Sequence, residues 1–196
     1  YERIPHVRNT VIAMTPEDYC HDLAARHGSD FRYSLLGLPS AQRQTLIAVQ
    51  AFVVETMQVV TECRDTGVAR TKLEWWRAEV GRLFSGNPQH PVTRALLSRL
   101  APFNLPEEYF REILDGATMD LEYGVYPGFA ELTLYVHRRG SIPALLASEI
   151  LGYQDRRATP RFAHEAGALL LLFDLLYEVR SHIQQGRFYL PEDEIG

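Results

Sequence analysis

Cysteine is scarce in this chain: Cys20 and Cys63 are the two among 196 residues. Two thiols without metal-ligand spacing exclude a disulfide framework and point to a reducing compartment, the cytoplasm or an organelle matrix. Each reads as an ordinary semi-buried thiol. Long apolar runs are missing as well. The longest, Ala166 to Tyr177, falls short of the roughly 20 residues of a membrane span and is broken by Asp174. It reads as a core helix, which leaves only peripheral membrane contact open. An excess of positive charge is also lacking, and a net charge of -5 excludes a general nucleic-acid binder. No window alternates with period two, so strands are not expected, and there are no repeats or low-complexity linkers. Residues 1–14 lack an apolar signal region and read as an extension or tag remnant.

What is present is enough apolar side chain, 46% hydrophobic and 11% aromatic, for one sizeable core over residues 15–196. Thr15-Pro16-Glu17-Asp18 supplies an N-cap, a first-turn proline and an acid three residues on, predicting a helix to Arg26 that Gly28 stops. Leu46, Val49, Val53 and Val60 recur at helical spacing and predict a helix from Ser40 to Cys63. Pro, Gly and Asn bound further helices at Thr71–Phe84, Pro91–Leu100, Pro106–Tyr123, Gly128–Leu151 and Thr159–Gln185. Pro143 predicts a kink near Gly140. The fold class is all-α.

Asp174, Glu178 and His182 stand at i, i+4 and i+8, one stripe of the last predicted helix. The stripe is the polar lining of a cavity or, alternatively, a ligand set for a divalent ion. Glu55, on a second long helix, completes either version or is a core-paired acid. Arg138, Arg139 and Arg187 offer bidentate donors to a phosphate, against the commoner role of surface arginines. Trp75 and Trp76, being adjacent, predict one core ring and one partly exposed ring. Glu107, Glu108, Glu112 and Asp115 read as a solvated helix face, His90-Pro91 as a turn, and no serine has a nucleophile's neighbours.

Several segments together carry a resemblance: Phe31-Arg32-Tyr33-Ser34-Leu35-Leu36-Gly37-Leu38-Pro39, Arg43, Ala48-Val49-Gln50-Ala51-Phe52, Met119-Asp120-Leu121-Glu122, Tyr135 to Leu151, and Gly186-Arg187-Phe188-Tyr189-Leu190-Pro191. From about Pro16 to Glu194 the chain resembles the squalene/phytoene synthase family. The resemblance implies the α-helical isoprenoid synthase fold, with further helices after the Tyr-Leu-Pro exit. It also implies a site where paired aspartates on two facing helices hold Mg²⁺ against prenyl diphosphates. It assigns ligand contacts to Tyr33, Ser34, Arg138, Arg187 and Tyr189, and puts His137 where a pocket tyrosine is usual.

The departures from that pattern decide the functional expectation. Met57, Gln58 and Thr61 occupy the first aspartate-rich motif, and Val54 replaces its leading arginine. Glu178 and His182 occupy the second, with Tyr177 for an arginine and Asp174 for an asparagine. The run Ala51 to Val60 followed by Lys72-Leu73-Glu74-Trp75-Trp76 is also similar to the family's mitochondrial complex I assembly branch, which likewise lacks the motifs. The leading expectation is therefore a non-catalytic protein that binds an isoprenoid or lipid or assembles a complex with a protein partner. The alternatives are an active Mg²⁺-dependent prenyltransferase using Glu55, Asp174 and Glu178, and a structural interaction module with a side-chain-filled cavity.

Overall fold

The computed structural model describes residues 14–63, 65–184 and 186–191, so most of the expected 1–14 extension lies outside the described residues. Helix ends follow local hydrogen-bond chemistry. Thr15 and Asp18 close a reciprocal capping box with Pro16 in the first turn, which starts α1 (Pro16–Ala24). Ser29 accepts from the Arg32 N–H and starts α2 (Asp30–Ser34), a short helix the sequence did not predict. α3 (Ser40–Glu62) follows as expected. α4 (Thr66–Phe84) begins before the predicted Thr71 because the Asp65 carboxylate accepts from Gly67 N at 2.7 Å and Val68 N at 3.0 Å. His90 caps α5 (Pro91–Leu97), and α6 (Glu107–Glu122) starts after Pro106.

The predicted Gly128–Leu151 helix divides at the expected place. α7 (Phe129–Val136) passes through a π-helical turn, His137–Ser141, into α8 (Ile142–Leu151). Pro143 thereby falls in the first turn of α8, where a missing N–H costs nothing. The predicted Thr159–Gln185 helix is also two: α9 (Ala158–Tyr177) and α10 (Val179–Gln184), separated at Glu178 with φ -95 and ψ 10. No proline or glycine marks that break. Gly186, at φ 75, then reverses the chain, and the returning segment donates Phe188 N to Gly124 O at 2.9 Å. One parallel bridge, Val125 to Phe188, is the only β pairing among the described residues.

The main core lies between α1, α3, α4, α5, α6 and α8. Phe52 sits at its centre, edge-on to Trp76 at 5.4 Å and to Phe110 at 5.2 Å. Each such ring contributes about 1.5–3 kcal/mol by leaving water. Trp76 is buried and Trp75 is 41% exposed, matching the expectation for the pair. Cys20 is buried and Cys63 half-buried.

α9 departs from its expected role as a core helix. Ala163, Gly167 and Leu175 are its buried residues, whereas Leu169, Leu170, Phe173 and Leu176 are more than half exposed. One side of α9 packs very closely on the π-turn: a Cβ on Gly140 or on Gly167 would lie 2.4 Å from the other's carbonyl oxygen. The opposite side presents its leucines outward. No described helix is long and apolar enough to cross a membrane.

Candidate functional site

α3 and the α9–α10 pair face each other across a cleft of about 410 Å³. From α3 come Met57 and Thr61; from the opposite wall come Leu171, Asp174, Glu178 and His182. The juxtaposition expected from sequence is therefore present. Because the helix breaks at Glu178, the three polar residues do not form a stripe on one helix as predicted. Asp174 and Glu178 are mostly exposed, and His182 Nε2 stands 3.7 Å from Glu178 Oε2, with its buried Nδ1 lacking a partner.

The floor is built by the exit motif. After Gly186 turns the chain, Arg187 reaches into the cleft and donates to Val60 O at 2.8 Å. Tyr189 then donates to Asp120 Oδ1 at 2.9 Å, while Tyr135 donates to Asp120 Oδ2 at 3.0 Å. Burial pushes the Asp120 carboxyl above the usual carboxylate range, against the pull of Arg139, Arg187 and the two hydroxyls. Burial likewise raises the Tyr189 hydroxyl to about 12 and the Tyr135 hydroxyl well above its ordinary value. Both phenols act as hydrogen-bond donors to Asp120. Asp120 and Tyr135 lie in segments that carry the family resemblance but are not among the site residues expected from sequence. The available signal was a carboxylate on the apolar face of α6, aligned with Ile113, Gly116 and Ala117.

Arg139 joins Arg187 as a second cation lining the cleft. Its aliphatic stem lies over Gly116, where a Cβ would come within 2.8 Å of it, and its Nε and Nη1 are buried without hydrogen-bond partners. Arg138, turned the other way, donates to Glu112 at 2.8 Å and lies 3.8 Å from Asp115. Asp115 also pairs with Arg77. Glu112 and Asp115 of the acidic cluster thus belong to an interhelical ion-pair network that engages Arg138, while Glu107 pairs with Arg111 on α6 itself and Glu108 is exposed as expected.

Other predicted residues lie outside the cleft. His137 Nδ1 is 3.0 Å from His164 Nε2, beside α9, and the pocket tyrosine is Tyr135. Burial, then the neighbouring His164, holds His137 below the ordinary imidazole value. Tyr33 is exposed, and Ser34 donates to Phe31 O at 2.7 Å; neither lines the cleft. Glu55 accepts from the Tyr19 hydroxyl and lines a separate pocket between α3 and α4. The structure does not bring Glu55 to Asp174 and Glu178.

A magnesium cluster needs carboxylate oxygens from both walls. α3 offers a thioether and a hydroxyl instead, the latter donating to Met57 O at 3.1 Å. Among the described residues no three His, Cys, Asp or Glu side chains assemble a metal site. The donor set does not fit the family's metal cluster.

Ten described helices around a cleft whose floor is tied by the exit motif define the all-α isoprenoid synthase fold. Solved structures agree: squalene synthase HpnC from Alicyclobacillus acidocaldarius matches with a TM-score of 0.80 at 23% identity, covering 91% of this chain and 66% of its own. A ligand-bound dehydrosqualene synthase matches with a TM-score of 0.81 at 20% identity, covering 92% and 62%. The squalene/phytoene synthase family model matches residues 24–195, and the chain belongs to that family. It is 28% identical to the 15-cis-phytoene synthase of Synechococcus elongatus, over all of this chain and 68% of that one. It is 25% identical to a phytoene synthase of Arthrospira platensis, over 98% and 66%. Against chloroplastic phytoene synthase 1 of Arabidopsis thaliana it covers 44% of the relative's length.

Proposed function

We propose that this chain is a non-catalytic member of its family whose cleft binds a prenyl diphosphate or a related anionic isoprenoid lipid. The observation that supports this most is Met57 and Thr61 facing Asp174, Glu178 and His182, because carboxylates then stand on one wall only. Joining two prenyl diphosphates requires Mg²⁺ to neutralise the leaving diphosphate, and that charge stabilisation supplies most of such a rate enhancement. The positive groups left are Arg139 and Arg187. A guanidinium with free donors binds phosphate oxygens directly, while Met57, Leu171 and Leu175 suit the hydrocarbon. The cleft's 410 Å³ also goes against a structural module plugged by its own side chains. Such binding fits a lipid-handling protein or one that assembles a complex around a lipid.

The rival, an active prenyltransferase, relies on Glu55 joining Asp174 and Glu178, and Glu55 lines another pocket. Incubation with farnesyl or geranylgeranyl diphosphate and Mg²⁺, followed by assay of released pyrophosphate, separates the two readings. No turnover is expected. Robust release would end the proposal.

A further inference from the structure

A second cavity, about 400 Å³, lies on the other flank of α3, between α3 and α4, and is closed at one end by the start of α5. Residues 55 and 57 differ by about 200° around a helix, so Glu55 faces this pocket while Met57 faces the cleft. Its walls are aromatic and steeply inclined to one another. Trp75 and Trp76 meet at 5.4 Å and 83°, Trp76 and His90 at 4.6 Å and 60°, and Trp75 and His90 at 6.0 Å and 73°. Tyr19 stands edge-on behind His90 at 5.6 Å. Rings set at such angles form a corner, not a stack.

The charge in that corner is negative. Glu55 is largely buried, accepts from the Tyr19 hydroxyl and keeps further lone pairs; His90 Nε2 is 3.9 Å away. Burial holds His90 below its ordinary value, against the opposing pull of Glu55 and Glu79. Glu62 contributes a second carboxylate and Lys72 one positive charge, leaving the lining one unit negative. The Trp75 ring already holds a cation, with the Arg82 guanidinium carbon 5.3 Å from its centroid.

We infer that this pocket binds a small organic monocation, a quaternary or protonated amine, held by the faces of Trp75 and Trp76 and the carboxylate of Glu55. Aromatic faces attract alkylammonium groups through the ring quadrupole, most strongly where water is excluded. The partly exposed Trp75 and the buried Trp76 supply an open wall and a fixed one. This site is independent of the prenyl-diphosphate reading, since it shares no lining residue with the cleft.

Choline and its uncharged isostere 3,3-dimethylbutan-1-ol are the discriminating probes, titrated into the protein while its tryptophan fluorescence and calorimetric heat are followed. Saturable binding of choline, at least about tenfold tighter than of the isostere, is expected. Glu55→Gln keeps an acceptor for Tyr19 while removing the charge, and Trp75→Ala removes an exposed wall. Each is expected to weaken choline binding by about tenfold with thermal unfolding little changed. Equal binding of the two probes overturns the inference, as does absence of saturable choline binding by the folded protein or full retention of it by both variants.

Discussion

Glu79 has no exposure to solvent, yet it carries four donors: Gln89 N at 2.7 Å, His90 N at 2.8 Å, Arg82 Nε at 2.6 Å and Thr93 Oγ1 at hydrogen-bond range. Burial alone would raise its carboxyl, but these donors together hold it below the ordinary value. A depressed carboxyl stabilises the fold above the unfolded value, near 4.3, and that contribution is lost as pH falls through the folded value. Glu79→Gln is predicted to cost about 1.5–3 kcal/mol at neutral pH and to flatten the acid limb of stability, read from urea unfolding across that range. The crossing of Gly140 and Gly167 is the second single-residue dependence. Gly140→Ala forces two backbones apart and is predicted to cost about 1–3 kcal/mol in thermal or urea unfolding. Gly37→Ala, where nothing lies within 4 Å of the new methyl, should be near neutral.

At the scale of the element, the π-turn carries two adjacent arginines. Arg138 and Arg139 both lie inside it, and neighbouring residues on a helix point about 100° apart, so the two cannot face the same way. Sequence spacing offers Arg138, Arg139 and Arg187, and the family resemblance assigns the ligand contact to Arg138, an expectation the structure corrects. The structure gives Arg139 to the cleft and Arg138 to Glu112. Arg139→Ala is accordingly predicted to weaken farnesyl diphosphate binding by roughly 10- to 100-fold with little change in unfolding, whereas Arg138→Ala should leave binding nearly intact. Calorimetric titration of both variants checks this. The exit motif is the other decisive element. Leu in place of Asp120 would strand the buried hydroxyls of Tyr135 and Tyr189 at about 1–3 kcal/mol each, and is predicted to lower stability and loosen the cleft floor together.

Across the whole molecule, what could be read from sequence is what local chemistry or helical period controls. The capping box of α1, the break before Pro143 and the contrast between Trp75 and Trp76 all follow from residues within a turn of each other. The expectation that joins Glu55 to Asp174 and Glu178 fails on helical period as well, since its two-residue offset from Met57 turns it to the opposite face of α3. The break at Glu178, which carries no proline or glycine, and the partnership of Asp120 with Tyr189, 69 residues away, depend on tertiary packing that no local pattern announces. The exposed leucines of α9 looked like core for the same reason: composition records that a helix is apolar, not which sides meet a neighbour. Within this frame the α3 wall has kept its position and offers no carboxylate to the cleft. The most direct test is calorimetric titration of farnesyl diphosphate with Mg²⁺ and again with excess EDTA. Equal affinity in the two is expected, because Arg139 and Arg187 bind the diphosphate without a metal. Binding that appears only with Mg²⁺ and vanishes in Glu178→Ala would contradict it.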